Sequence, residues 1–307
     1  MISDAPVGGK GSNSNNIGSN DDENDLERMK RFWKYSQTYR YIPPASRYDY
    51  IPVPAKECGA GPDFDPWWKL SGKDRSRLGE DKFIYETFFK NQNNNFTGTY
   101  VELGAYNGRI ESNTRFFDLC LGWKGLLIEG NPENYEKTIF NRPYAHKMSL
   151  APSCSAEYEA VNKTIQFYRY PMTNVGLVGH AKTYEKKPTV DVPCGPLSPI
   201  FEDVFAEDTE NGAGSLLPTL DFFSLDVEGA EMLVLSTIDF QAVRINILMI
   251  EIDNDHCTGA QCQVRKDVRA KMEAEGYKRY ERLVHASDIY VHPESPFQIP
   301  ESIAIPN

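Results

Sequence analysis

Several groups of residues in this 307-residue chain have the types and spacing to do chemistry. The first is a glycine turn that carries a carboxylate, Glu102-Leu103-Gly104-Ala105-Tyr106-Asn107-Gly108, with a second acid, Glu129, downstream. In nucleoside-binding βαβ units an acid about 20 residues beyond the glycine loop hydrogen-bonds the ribose hydroxyls. Glu129 stands at that place. A carboxylate beside the loop would repel a pyrophosphate, whereas it suits a ligand with an ammonium or sulfonium charge. S-adenosylmethionine fits that description better than NAD, whose fingerprint has a third glycine. The second group is Asp226-Val227-Glu228-Gly229-Ala230-Glu231, at the end of an apolar run. Asp226 is placed to remove a proton from an acceptor, with Glu228 two residues on and facing the same way if strand geometry continues. His180, in a glycine-bearing loop, is the second candidate base, although a lone loop histidine is usually only solvated. Asp226, Glu228 and Glu251 could instead hold Mg²⁺, which prefers carboxylate oxygens; the competing role for Glu228 and Glu231 is to cap the following helix. His256, Cys257 and Cys262 have zinc-like spacing but lack a fourth ligand, so a disulfide or two thiols is expected there.

The elements that must position these residues follow from periodicity. Thr99 to Leu103 and Gly125 to Ile128 read as strands flanking a helix. Asn131-Pro132 is an N-cap and first-turn proline for a helix over 132–140, and a strand over Ala145 to Leu150 follows. The nearly all-apolar runs Leu220 to Leu225 and Ile245 to Ile250 read as strands buried on both faces, as in a parallel sheet covered by helices. Helices are expected over Leu78 to Asn91, Leu197 to Ala206 and Ala260 to Glu275, the last closed by Gly276. Tyr277 to Leu283 and Asp288 to Val291 are too close for a crossover and form an antiparallel pair. Residues 151–190 interrupt the rhythm with strands at Thr164 to Tyr170 and Thr189 to Val192, either as one wall of a substrate pocket or as a decorative hairpin. The fold class is α/β: five alternating units ending in an antiparallel hairpin, a seven-stranded, mostly parallel sheet.

The expected organisation is a disordered tail over 1–25, an aromatic and proline-rich arm over 26–75, a catalytic domain over 76–295 and a C-terminal tail over 296–307. The arm opens with a short helical pattern from Asp25 to about Tyr39 and then runs extended, with Trp67 and Trp68 as packing anchors. A net charge of −11 gives no basic field for a phosphate backbone, so nucleic acid is not an expected partner. No run is apolar for long enough to span a membrane, and the N-terminus has no apolar signal core. That favours the cytoplasm. Six cysteines and two N-x-T sequons, at Asn95 and Asn162, point the other way, to the luminal part of a longer precursor.

With these stretches in hand, the chain resembles the FkbM family of S-adenosylmethionine-dependent methyltransferases. The matching residues are VELGAYNG (101–108), SNT (112–114), GWKGLLIEGNPENY (122–135), DFFSLDVEGAEMLVL (221–235) and ILMIEIDN (247–254). The resemblance implies the class I methyltransferase fold and O-methylation of a hydroxyl on a sugar, a glycan or another small natural product. It further implies that Glu102, Gly104, Ala105 and Gly108 line the methionine end of the cofactor, that Glu129 binds the ribose with Asn131 nearby, and that Asp226 faces the methyl group. Two other classes are a non-catalytic interaction or trafficking module that keeps the fold, opposed by the intact loop, and a nicotinamide dehydrogenase, opposed by the missing glycine and the terminal hairpin.

Overall fold

The computed structural model describes residues 19–46, 55–59, 63–92, 96–154, 163–180, 187–205, 217–252, 259–300 and 303. In chain order the N-terminal arm contains α1 (Ser19–Thr38), α2 (Ala55–Cys58) and α3 (Asp65–Trp68), and α4 (Glu80–Ile84) leads into the sheet. There follow β1 (Thr99–Leu103), α5 (Arg115–Leu119), β2 (Lys124–Ile128), α6 (Pro132–Asn141) and β3 (His146–Met148). A hairpin of β4 (Thr164–Tyr168) and β5 (Thr189–Pro193) precedes α7 (Ser198–Phe205), β6 (Thr219–Leu225), α8 (Glu231–Leu235) and β7 (Arg244–Glu251). The chain closes with α9 (Ala260–Ala274), β8 (Lys278–Val284) and β9 (Ser287–Val291).

The main sheet has seven strands in the order β3-β2-β1-β6-β7-β9-β8. Neighbouring strands are parallel from β3 to β7, and β9 is antiparallel to both of its neighbours. This is the mostly parallel α/β sheet with a terminal hairpin that the periodicity predicts. The strand order reverses between β1 and β6, the switch point at which open α/β sheets bind ligands beyond their strand ends. Alternate side chains feed two cores. Val101, Leu103, Phe223 and Leu225 meet α7, α8 and α9 on one face, while Tyr100, Phe222, Ile247 and Met249 meet the aromatic arm on the other. Each fully buried side chain of this size contributes about 1.5–3 kcal/mol.

The arm is not simply extended over the surface: α2 and α3 interrupt it, because their residues pack into the aromatic core. Trp67 is fully buried and its indole donates to Asp81 at 3.0 Å. Tyr35 donates to Asp203 on α7 at 2.7 Å, and the backbone of Ile42 bonds Lys147 in both directions, at 2.9 and 3.0 Å, covering the outer edge of β3. Three boundaries differ from expectation. The first helix starts at Ser19 rather than near Asp25, because a polar first turn carries no apolar periodicity; the rest of the tail expected to be disordered, 1–18, lies outside the described residues. The helix predicted over Leu78 to Asn91 is α-helical only to Ile84 and continues as a π-helical turn, Tyr85–Phe89. The C-terminal tail is partly core, since Phe297 and Ile299 are buried and Phe297 packs on Phe89.

Disulfides join Cys58 to Cys120 and Cys154 to Cys194, and Cys262 is disulfide-bonded as well, which removes it as a zinc thiolate. His256, Cys257 and the sequon residues Asn95 and Asn162 lie outside the described residues. The second bridge closes 40 residues of chain around the β4–β5 hairpin. Replacing both of its cysteines by serine is expected to lower stability by about 2–4 kcal/mol, read as a fall in the urea midpoint. An unchanged midpoint would show that packing alone holds the hairpin.

Candidate active site

The site is built where β1, β2 and β6 end. Gly104, at the tip of β1, has φ +85°, and a Cβ there would lie 1.7 Å from the carbonyl oxygen of Asp226. Only glycine lets the loop lie this close to β6. The N–H groups of Gly104 and Ala105 donate to the Ile128 carbonyl at 3.1 and 3.2 Å, tying the tips of β1 and β2 together. The next residue, Tyr106, is left-handed (φ 48°) and aims its N–H at Glu129 Oε2, 2.7 Å away. The Asn131 N–H donates to Glu129 Oε1 at 2.7 Å. Glu129 is 6% exposed, and burial pushes its carboxyl up to about 8 against these two backbone donors, which favour the ionised form.

A cleft opens at this point, lined by Gly104 and Glu129 and walled by Phe167, Val175 and Leu177. The β4–β5 excursion is therefore a wall of the site and not decoration. Several expected ligand residues serve the cavity from behind. Glu102 is buried and turned away from it, accepting from Ser112 Oγ, the Asn113 N–H and Thr114 Oγ1, each at 2.7 Å. Adjacent strand residues face opposite sides, so Leu103 lines the cavity and Glu102 cannot. Ala105 is in the core on the aromatic side of the sheet, and Gly108 packs against α6, where a Cβ would meet Arg142 Cγ at 2.8 Å. Asn131 is the N-cap of α6, its Oδ1 accepting from the Glu133 N–H at 2.9 Å while its Nδ2 donates to the Tyr170 carbonyl at 2.8 Å.

Asp226 follows the last residue of β6, and its N–H donates to the Leu103 carbonyl at 3.1 Å. Its carboxyl lies beside those of Glu251 and Glu228, while Oδ1 is excluded from solvent and has no hydrogen-bond partner among the described residues. Burial, followed by the charges of Glu251, Glu228 and Glu231, holds it well above the usual carboxylate range. Asp226, Glu228 and Glu251 each offer an oxygen within 4.8 Å of the others. Glu228 does not reach this group by continuing the strand, which ends at Leu225; its backbone is left-handed (φ 58°) and turns it back. Glu231 does cap, accepting from the Val227 and Gly229 N–H groups at 3.2 and 3.0 Å, and burial pushes it up to about 7. His180 is not at the cluster: its Nδ1 lies 3.3 Å from the Gly229 carbonyl and the residue lines neither cavity.

A second, more polar cavity meets the first at Asp226 and Glu228. Its far walls come from the segment Arg77 to Glu80 that opens α4, the hairpin at Met172 to Asn174 and the β8–β9 turn at His285 to Ser287. The arrangement is that of a largely apolar pocket and a polar pocket that meet at a carboxyl group with a raised pKa. Two contributors are missed by spacing alone. Tyr106 supplies only a backbone N–H, which no side-chain pattern records. Phe167 comes from the excursion, where the chain has no α/β rhythm to place it.

The methyltransferase FkbM domain family matches residues 102–279, over half of the chain. No curated protein matches. Among solved structures, the mitomycin 7-O-methyltransferase MmcR shares 10% identity at a TM-score of 0.31, covering 69% of this chain and 52% of its own, so this chain spans about half its length. A SAM-dependent methyltransferase from Aquifex aeolicus shares 8% identity at a TM-score of 0.34, covering 76% of this chain and 98% of its own. The methyltransferase FkbM from Methylobacillus flagellatus KT shares 12% identity at a TM-score of 0.36, covering 88% of this chain and 60% of its own.

Proposed function

The chain belongs to the FkbM methyltransferase family, and from that premise we propose that it methylates a hydroxyl group of a sugar, a glycan or another small natural product. The observation that carries this reading is the position of Asp226, which lines both cavities. S-adenosylmethionine fits the first cavity by the chemistry of its walls. Glu129 accepts one backbone N–H on each oxygen and keeps further lone pairs for a ribose diol. Phe167, Val175 and Leu177 give an adenine ring an apolar wall. When bound, this cofactor supplies a methyl group already activated on a sulfonium.

The protein then has to orient the acceptor oxygen, exclude water and take the hydroxyl proton. Asp226 takes that proton as the oxygen–methyl bond forms, and Glu251 and Glu228 keep its affinity for protons high. Asp226, Glu228 and Glu251 are also the donors that Mg²⁺ would use. We favour the carboxyl group as base, because Asp226 stands where the two cavities meet and burial beside Glu251 and Glu228 raises its affinity for a proton. Turnover is expected to survive excess EDTA; loss restored by Mg²⁺ would assign the cluster to the metal.

The founding experiment is calorimetric titration of S-adenosylhomocysteine into wild type and Glu129→Ala. Micromolar binding weakened more than tenfold, about 1.4 kcal/mol, is expected. No binding by wild type would replace this reading with the non-catalytic module.

The same carboxyl group predicts the pH dependence. A ribose diol donates hydrogen bonds, so it prefers ionised Glu129, which is pushed up to about 8. Binding therefore releases protons, and affinity should rise as pH increases through about 8, a trend that Glu129→Gln abolishes. For stability the sign is opposite: the raised carboxyl contributes fully below its unfolded value of 4.5, and that contribution is lost as pH rises through about 8. The disulfides also lead us to place the protein in an oxidising compartment.

A further inference from the structure

The residues that hold Glu129 also hold a wall of both cavities. Tyr106 and Asn131 each give a backbone N–H to that carboxyl, and each sends its side chain the other way, to the β4–β5 excursion. Three successive carbonyls there accept from the glycine loop and α6. Tyr170 accepts from Asn131 Nδ2 at 2.8 Å, Pro171 from the Tyr106 hydroxyl at 3.4 Å and Met172 from Asn134 Nδ2 at 3.4 Å. Asn131 is fully buried and Asn134 nearly so. The residue that follows the three carbonyls, Thr173, lines both cavities.

The excursion needs such a clasp. β4 and β5 form a two-stranded sheet of their own, packed through a small apolar cluster that includes Phe167, Val175, Leu177 and Val192. A lone hairpin is marginally stable at best in water. The Cys154–Cys194 bridge ties its base, where the Ala151 N–H also donates to the Pro193 carbonyl at 2.9 Å. The segment that reaches the cavities lies beyond the other end of β4, and there the side chains of Asn131, Asn134 and Tyr106 hold it. The ion pair of Arg169 with Glu133, at 2.8 Å, is half-exposed on both sides and adds little.

We propose that Asn131 and Tyr106 are positioning residues that couple the two cavities: a ribose held by Glu129 fixes the two residues whose side chains set Thr173 on the shared wall. The inference rests on the methyltransferase reading and deepens it, because the shape of the acceptor cavity then depends on whether the cofactor cleft is filled. Asn131 carries the larger share, since its bond to the hairpin is the shorter one and its side chain is buried.

The test is hydrogen exchange of the amides over 168–178 with and without S-adenosylhomocysteine, alongside calorimetric affinity for that ligand, in wild type, Asn131→Ser and Tyr106→Phe. Serine still caps α6, keeps the backbone N–H on Glu129 and adds no charge beside it, but lacks the amide that meets the Tyr170 carbonyl. Phenylalanine keeps the ring and the backbone N–H and loses only the hydroxyl. In wild type the ligand is expected to slow exchange over 168–178. In Asn131→Ser that protection should be lost and affinity should fall about fivefold, the net worth of one hydrogen bond, while the urea midpoint stays close to wild type. Tyr106→Phe should show the same changes in smaller measure. A merely structural Asn131 would move the midpoint and leave the ligand-dependent protection in place. Binding by wild type without protection over 168–178, or protection that survives in Asn131→Ser, would overturn the inference. If serine lowers the midpoint, Tyr106→Phe decides by the same readout. Each of those results leaves the methyltransferase reading standing, because that reading fails only if S-adenosylhomocysteine does not bind the wild type.

Discussion

Asp226→Asn is expected to lower turnover by about 10²–10⁴-fold, equivalent to about 3–5 kcal/mol of transition-state stabilisation. Asparagine keeps the volume, but its amide cannot take the acceptor's proton. The backbone contact of the Asp226 carbonyl with Gly104 and the bond from its N–H to the Leu103 carbonyl do not involve the side chain, so the loop stays closed. Affinity for S-adenosylhomocysteine should therefore stay near the wild-type value, which separates loss of the base from loss of the site. Glu251→Gln should cost less, because it removes the neighbour that raises the Asp226 pKa and not the base itself. Its signature is a shift of the acidic limb of the pH–rate profile to lower pH. Full turnover in Asp226→Asn would show that the proton leaves by another route.

How much of this site is legible in the sequence depends on which atoms do the work. Glu129 and Asp226 stand at strand tips, and the ends of β1, β2, β6 and β7 fall within about a residue of where apolar runs stop, because full burial leaves no other pattern open to them. Glu102 lines neither cavity. It belongs to the loop motif, but strand alternation turns it into the interior, where it anchors the segment Ser112 to Thr114 that leads into α5. Gly108 and Asn131 likewise shape the loop and the start of α6 without lining the cavity. Spacing identifies a motif, whereas direction depends on the local backbone, as the left-handed turns at Tyr106 and Glu228 show. The second cavity was beyond reach, since its walls come from three segments far apart in sequence.

Arg142→Leu is expected to destabilise the fold by about 3–5 kcal/mol, the largest effect of any single change outside the strand cores. Arg142 is fully buried beneath the glycine loop. Its Nε donates to Asp118 at 2.7 Å and its Nη2 to the Tyr100 hydroxyl at 2.6 Å. Its Nη1 reaches Ser112 Oγ at 3.1 Å, the Gly108 carbonyl at 3.4 Å and Glu102 at 3.5 Å. Burial works against the guanidinium charge, but Tyr100, Asp118 and Glu102 outweigh it and hold the group above its ordinary range. Leucine would match the stem and leave Asp118 and Glu102 as buried carboxylates with no cation. The loss should appear in the urea midpoint, and affinity for S-adenosylhomocysteine should fall with it, because the contacts to Gly108, Ser112 and Glu102 are what hold the loop from behind. The double variant Arg142→Leu/Asp118→Leu should recover part of the stability, since one uncompensated charge is then gone, but not the affinity. A single variant within about 1 kcal/mol of wild type would mean that water reaches and solvates these carboxylates, and that the loop is held by its bonds to β2 alone.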